Sequence, residues 1–334
     1  MKKIILLVLT ILIISCKQDT KNDSILLKGN ALGTTFNIKY FDTDQVNYLK
    51  SVDSIINAVN KSLSTYHKDS DISKINKGDS TIVVDELFIE NMEKSKTIHE
   101  NTNGFFDPTV GILVNAWGFG PEKELENLDS TKVAELLKFV GLEKIKLKNG
   151  TIIKDSKQVY LDFNSIAKGY TIDLIGRFLE KKGIHNYLVE LGGEVRARGK
   201  NLEKGSFWAI AIEDPNTDGT RSFTKYVQLK NESMATSGNY RKFKKNDKGE
   251  KFVHTINPKT GFAYESDLIS ATVISEIDCA DVDAYATAFM AMGLDRTKEF
   301  LEKHKEIKAF LIYVDENENL TNFTSPSLKI EEIQ

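Results

Sequence analysis

The stretch Asp278-Cys279-Ala280-Asp281-Val282-Asp283-Ala284-Tyr285-Ala286-Thr287-Ala288-Phe289-Met290 constrains this chain more than any other. It is predicted to open a helix. Cys279, Val282, Ala286, Phe289 and Met290 recur at three- and four-residue steps, which makes one apolar stripe for a core. Asp283 and Thr287 are four apart and share a face, one turn from each other. A carboxylate and a hydroxyl aimed the same way are hard oxygen donors, the kind magnesium accepts. A plainer reading stands beside this one. Acidic residues in a first helical turn answer the helix dipole, and Thr287 bonds back to a carbonyl.

The chain has 334 residues, 40% of them hydrophobic and 28% charged, which is ordinary for a globular protein. Its 45 basic and 48 acidic residues leave a net charge of −3, and no basic tract points to nucleic acid. The N-terminus reads as a targeting segment. Lys2 and Lys3 precede an apolar run from Ile4 to Ile14, broken only by Thr10 and too short to span a bilayer. It ends in Ile13-Ile14-Ser15-Cys16, which resembles the bacterial lipoprotein cleavage box. Residues 1–15 are then a lipoprotein signal peptide, Cys16 the lipidated mature N-terminus, and 16–24 a tether. Each buried acyl methylene contributes about 0.8 kcal/mol, so several chains anchor a protein firmly. Cys279 is the other cysteine; with Cys16 lipidated it has no disulfide partner and reads as a small buried hydrophobe. Two cysteines and five scattered histidines give no zinc spacing.

Along residues 25–334, read as one domain, strands and helices alternate irregularly. Thr34–Phe41 alternates as a strand, and Asp42–Leu63 has helical rhythm. Further helices are predicted from about Asp85 to Glu100, from Ser130 to Phe139 with a serine cap, and from Ser165 to Lys182 with Gly183 at the end. Strands are predicted at 145–148, 151–154, 159–163, 187–191, 194–199, 207–213, 226–230, 270–275, 308–314 and 320–323, with a last helix near Arg296–His304. Helices interrupting runs of strands argue an α+β fold rather than a βαβ series.

Several stretches have chemical potential. Gly104 to Gly120 mixes aromatics and glycines, as loops that frame binding sites do. Asp162-Phe163-Asn164-Ser165-Ile166-Ala167-Lys168-Gly169-Tyr170 lies where a strand becomes a helix; helix-start amides and Lys168 together suit a phosphate. Taken alone, Asp162 is more simply a cap and Lys168 a solvated lysine. No Walker or GxGxxG pattern is present. Glu190-Leu191-Gly192-Gly193-Glu194 reads as a hairpin. Ser237, in Ala235–Tyr240, is a nucleophile only with a base beside it. His254, before Asn257-Pro258-Lys259-Thr260-Gly261, is either a general base or a structural hydrogen-bonder.

In order, these stretches resemble the ApbE family of FAD:protein FMN transferases. The resemblance includes Ala31-Leu32-Gly33-Thr34, Ser64-Thr65-Tyr66, Gly104 to Thr109, Trp117 to Gly120, Asp162 to Tyr170, Glu190 to Glu194, Ala235 to Tyr240, His254 to Gly261 and Val282 to Thr287. It implies an α+β fold related to the tunnelling fold (T-fold). It also implies a lipid-anchored protein of the bacterial cell envelope, facing the periplasm. Such proteins use magnesium to cleave FAD and attach FMN to a threonine of a membrane redox-complex subunit, releasing AMP. Carried over by position, Asp283, Thr287 and the Ser165 carbonyl would hold the metal. Leu32, Tyr66, Phe105, Phe106, Asp107, Asp162, Lys168 and Ile256 would contact FAD, with His254 or Asp283 as catalytic base. Four residues in three motifs depart from the family pattern: Leu32 replaces a methionine, Asn164-Ser165 a glycine pair, and Asn257 an aspartate that would orient His254. The alternatives are an FAD pyrophosphatase giving FMN and AMP, and a lipoprotein that binds flavin without chemistry.

Overall fold

The computed structural model describes residues 23–215, 222–239, 243–245, 251–263 and 267–333. The signal peptide, Cys16, most of the tether and Tyr240 lie outside the described residues. No helix among the described residues is long and apolar enough to cross a membrane.

In chain order the elements are β1 (Ser24–Ala31), β2 (Thr34–Phe41), α1 (Leu49–Leu63), α2 (Asp71–Asn76), α3 (Glu86–Asn101), α4 (Gly111–Ala116), α5 (Ser130–Leu137), β3 (Ile145–Lys148) and β4 (Thr151–Lys154). The chain continues with α6 (Ala167–Lys181), β5 (Tyr187–Leu191), β6 (Glu194–Arg198), β7 (Trp208–Glu213), β8 (Phe223–Leu229), β9 (Ser233–Gly238), β10 (Phe243–Lys245) and β11 (Lys251–Val253). It closes with β12 (Leu268–Ser275), α7 (Cys279–Met292), α8 (Leu294–Lys303), β13 (Lys308–Val314), β14 (Leu320–Thr324) and β15 (Glu331–Glu332).

Eight strands form one antiparallel sheet in the order β1-β2-β5-β6-β9-β12-β13-β14, and β15-β8-β7 form a smaller one. Strand alternation sorts the side chains between two cores. Ala271 and Val273 of β12, with Ala309 and Leu311 of β13, join the helical side with α7. Their neighbours Ile274, Phe310 and Ile312 face the smaller sheet, against Trp208, Val227 and Leu229. Helices α1 and α6 cover the other end of the sheet through Val52, Ile56, Ile172, Ile175 and Leu179. The α+β class predicted from the sequence is the one observed.

Four local expectations are corrected. The helix predicted from Asp42 starts at Leu49, because the Asp42 carboxylate accepts from the amides of Asp44 and Val46 (both 3.1 Å) and closes a turn first. The α5 cap is Asp129 rather than Ser130, since its carboxylate accepts from Lys132 N at 2.9 Å. Residues 159–163 form no strand. Asn76 exchanges both hydrogen bonds with Leu161 at 2.8 Å, supplying from a side chain what a neighbouring strand would give. Helix α7 is not striped. Nearly all its faces are buried, because it lies under the sheet with α3, α6 and α8 around it. Cys279 is a free, buried thiol, as expected of a small hydrophobe.

The seat of α7 on α6 is set by two devices. Gly169 of α6 meets the α7 backbone so closely that a Cβ there would be 2.3 Å from the Cys279 carbonyl oxygen. Asp173, one turn further on, accepts from the Cys279 and Ala280 amides at 2.9 and 2.8 Å, taking up donors that a helix start leaves orphaned. Its charge also suits the positive end of the helix. Arg196 of β6 then bonds Asp173 at 2.6 Å and Asp278 at 2.8 Å, pinning the pair to the sheet.

Candidate active site

Because α7 is locked to α6 at its first turn, Asp283 arrives against the start of α6. The residue is 3% exposed. Asp283 Oδ2 accepts from Gly169 N at 3.2 Å, and Oδ1 is 3.9 Å from the Lys168 ammonium. Gly169 is the third residue of α6, so its amide is one of the donors that a helix start leaves without an intrahelical carbonyl. It bonds Asp283, and among the described residues no backbone amide donates to the Ser165 carbonyl. One turn along α7, the Thr287 hydroxyl lies 3.3 Å from the Ser237 hydroxyl of β9. Thr287 therefore does not merely bond back to its own helix. Ser237 has no histidine or carboxylate bonded to it among the described residues, which removes the support for a nucleophilic role.

Lys168 is not a solvated lysine. Its ammonium directly contacts Glu194, the residue just past the Gly192-Gly193 turn, and Glu194 is 4% exposed. The hairpin reading of that turn holds, with both glycines at positive φ (65° and 106°). Sequence reading missed the part Glu194 plays, since partners 26 residues apart leave no local signal. Burial pulls the Lys168 pKa down, but Asp283 and Glu194 outweigh it and hold it above the usual lysine value. Burial pushes the Asp283 carboxyl up to about 7, against the pull of Lys168 and with the push of Glu194.

That shift has a sign. A raised folded-state pKa gives stability that is complete below the ordinary carboxylate value of 3.8 and is lost as pH rises through about 7. Above that, the metal-free protein carries a buried charge. Asp283→Asn removes the ionisation, so its melting temperature relative to wild type should rise between pH 5 and pH 8. Thermal denaturation in a chelator checks this; a difference independent of pH would contradict it.

The remaining expected contacts are held by local bonds and ring contacts. Asp162 is not the α6 cap, which is Ile166; it accepts from Asn164 N at 2.8 Å, and its own amide bonds the Pro108 carbonyl at 2.7 Å. The Asn164 side-chain amide donates to the Thr65 hydroxyl at 3.2 Å, next to Tyr66, which is 60% exposed. Phe106 and Asp107 are buried and held by His99, whose Nδ1 lies 2.9 Å from the Phe106 carbonyl and 3.4 Å from the Asp107 carboxylate. Burial raises the Asp107 pKa. The Lys259 ammonium and the Arg296 guanidinium both sit over the Phe105 ring, at 5.2 and 5.5 Å, neither of them foreseen. Part of the predicted aromatic–glycine loop is helix α4, which packs Leu113 with Ile256.

His254 and Ile256 lie in a loop closed by Val253 N to Ala263 O (2.7 Å) and Asn257 N to Phe262 O (3.0 Å). His254 is half-buried. Asn257 uses both side-chain ends to hold this turn, accepting from Lys259 N at 2.9 Å and donating to the Ala291 carbonyl at 3.3 Å. Leu32 occupies the β1–β2 turn at φ 49°, beside Gly33 at φ 76°, and lines a cavity of about 670 Å³ with Asn57 and Asn60. Two residues on, Thr34 packs under Gly192, which joins this turn to the Glu194 end of the cluster.

Oxygen donors dominate the centre. Among the described residues no group of three or more His, Cys, Asp or Glu could hold a metal, so a cation at Asp283 needs hydroxyl, carbonyl or substrate oxygens to complete its shell. Magnesium is commonly bound by one or two carboxylates plus substrate phosphates.

The ApbE family model matches residues 32–311. An FAD:protein FMN transferase of Haemophilus influenzae is 35% identical over 98% of this chain and 97% of its own length. Among solved structures, the flavin transferase ApbE from Vibrio cholerae superposes with a TM-score of 0.80 at 31% identity, covering 91% of this chain and 98% of that one. The apo flavinyl transferase ApbE of Pseudomonas stutzeri gives a TM-score of 0.80 at 29% identity, with 91% and 95% covered.

Proposed function

The chain belongs to the ApbE family and is a flavin transferase, and from that premise we propose that it moves FMN from FAD to a threonine of an acceptor protein with magnesium held at Asp283. The observation that supports the metal assignment is the place of Asp283 against the start of α6, where its carboxylate accepts from the Gly169 amide and, among the described residues, no backbone amide donates to the Ser165 carbonyl nearby in sequence. Asp283, Thr287 and that carbonyl are all hard oxygen donors and fit the ion. A magnesium ion held by these groups would supply the positive charge that a pyrophosphate and a departing AMP call for.

The chain's own groups do the rest. Lys168 adds a cation at the start of α6, where helix amides favour phosphate. Phe105, Phe106 and Tyr66 offer aromatic surface for flavin or adenine. The threonine oxygen forms the new bond to the FMN phosphorus, the bridging P–O bond breaks, and AMP leaves with the electron pair. His254 accepts the threonine proton, a contribution of typically 10²–10⁴-fold; Asp283 is the alternative base. The His254 loop is fixed by Asn257 without help from an aspartate at that position. Lipidation at Cys16 would place the enzyme on a bacterial membrane, facing the periplasm, within reach of redox-complex subunits.

Intact-mass measurement after incubation with FAD, magnesium and a threonine-bearing acceptor tests the reading. The acceptor should gain one FMN for each AMP released. Free FMN and AMP with an unmodified acceptor would make the protein a pyrophosphatase, and no AMP under any metal condition would leave only flavin binding.

A further inference from the structure

Lys168 stands between two carboxylates that are not alike. Asp283 has a second partner in the Gly169 amide. Glu194 uses one oxygen on Lys168, while its other oxygen, Oε2, is buried and has no hydrogen-bond partner among the described residues. A buried ionised carboxylate is strongly disfavoured unless a cation compensates it. Among the described residues Lys168 is the only cation paired with Glu194. The geometry of the turn aims Glu194 there. Gly192, at φ 65°, would put a Cβ 3.4 Å from Glu194 Oε2 if it had one, so the turn leaves just enough room for the carboxylate.

We propose that Glu194 is a positioning residue that holds the Lys168 ammonium aside and so keeps Asp283 open to a divalent cation. This rests on the reading of Asp283 as metal ligand. The ammonium is already 3.9 Å from Asp283 Oδ1. Without the Glu194 charge it closes on the remaining carboxylate, and an ammonium there competes with the metal for the same oxygens. The buried cost of Glu194 is then the means by which one site keeps both a lysine and a metal ion.

Manganese titration calorimetry on the FAD-free protein tests this. Glu194→Gln, close in shape but uncharged, should bind Mn²⁺ about 10- to 100-fold more weakly than wild type, the range seen when groups behind a metal ligand are altered. The double variant Lys168→Met/Glu194→Gln removes the competitor and should recover wild-type affinity, an outcome that simple structural damage would not give. It also replaces an ion pair by a neutral pair, so it remains decisive if the single variant does not fold. Unchanged affinity in Glu194→Gln, or no recovery in the double variant, overturns the inference. If wild-type Mn²⁺ binding survives Asp283→Asn, the metal assignment itself is wrong, and the two failures are told apart.

Discussion

Asp283→Ala should lower flavin transfer by at least about 10²–10³-fold while the protein stays folded. The loss follows from removing the single carboxylate among the three proposed oxygen donors, and with it the ion that neutralises the pyrophosphate. The fold survives for a reason visible in the same cluster. Burial pushes Asp283 up to about 7, so in the metal-free protein its ionised form is a cost rather than a support. Lys168 retains Glu194, and the helix seat depends on Asp173 and Arg196 instead. Function is bought here with stability, as is common where a site holds a strained or desolvated group. Rates measured with saturating FAD and acceptor, alongside a melting curve, check both halves. Full magnesium-dependent transfer by the variant would remove the metal from Asp283.

Gly169→Ala should harm both stability and activity, against the usual benefit of alanine inside a helix. The added Cβ would lie 2.3 Å from the Cys279 carbonyl oxygen and 2.7 Å from the Ala280 nitrogen, both backbone atoms that no side-chain rotation can clear. Helix α7 must move off α6, at a cost of about 1–3 kcal/mol or more for overpacking of this kind. The same movement draws Asp283 away from the Gly169 amide, so transfer falls further than the melting temperature alone would account for. Thermal denaturation and initial rates compared at a temperature where the variant is fully folded separate the two. A variant as stable and active as wild type would show that the helices do not need this contact.

These two positions also mark what the sequence makes legible. Asp283 and Thr287 are four residues apart on one helix, and a helical period brings them to one face before any tertiary contact is known. Strands β2, β5 and β13 are found with the observed boundaries, because apolar side chains alternate or run unbroken there. Strand β9 is hidden for the opposite reason. Ser-Met-Ala-Thr-Ser-Gly has little contrast between faces, and its central place between β6 and β12 is decided by those neighbours. The Asn76–Leu161 exchange misleads in the other direction, since an apolar run looks like a strand even when a side chain takes the partner's place. Glu194 with Lys168, Asp173 with Arg196, and the two cations over Phe105 are pairings across the fold, and no local spacing announces them. The family resemblance supplied the site's residue list; the structure adds that Asp283 meets the start of α6 through the Gly169 amide.

The most direct measurement is anomalous diffraction from crystals soaked with FAD and manganese. The manganese peak is expected within bonding distance of the Asp283 carboxylate, the Thr287 hydroxyl and the Ser165 carbonyl, against the flavin pyrophosphate. A peak elsewhere, with Asp283 still bonded only to Gly169 and Lys168, would contradict it.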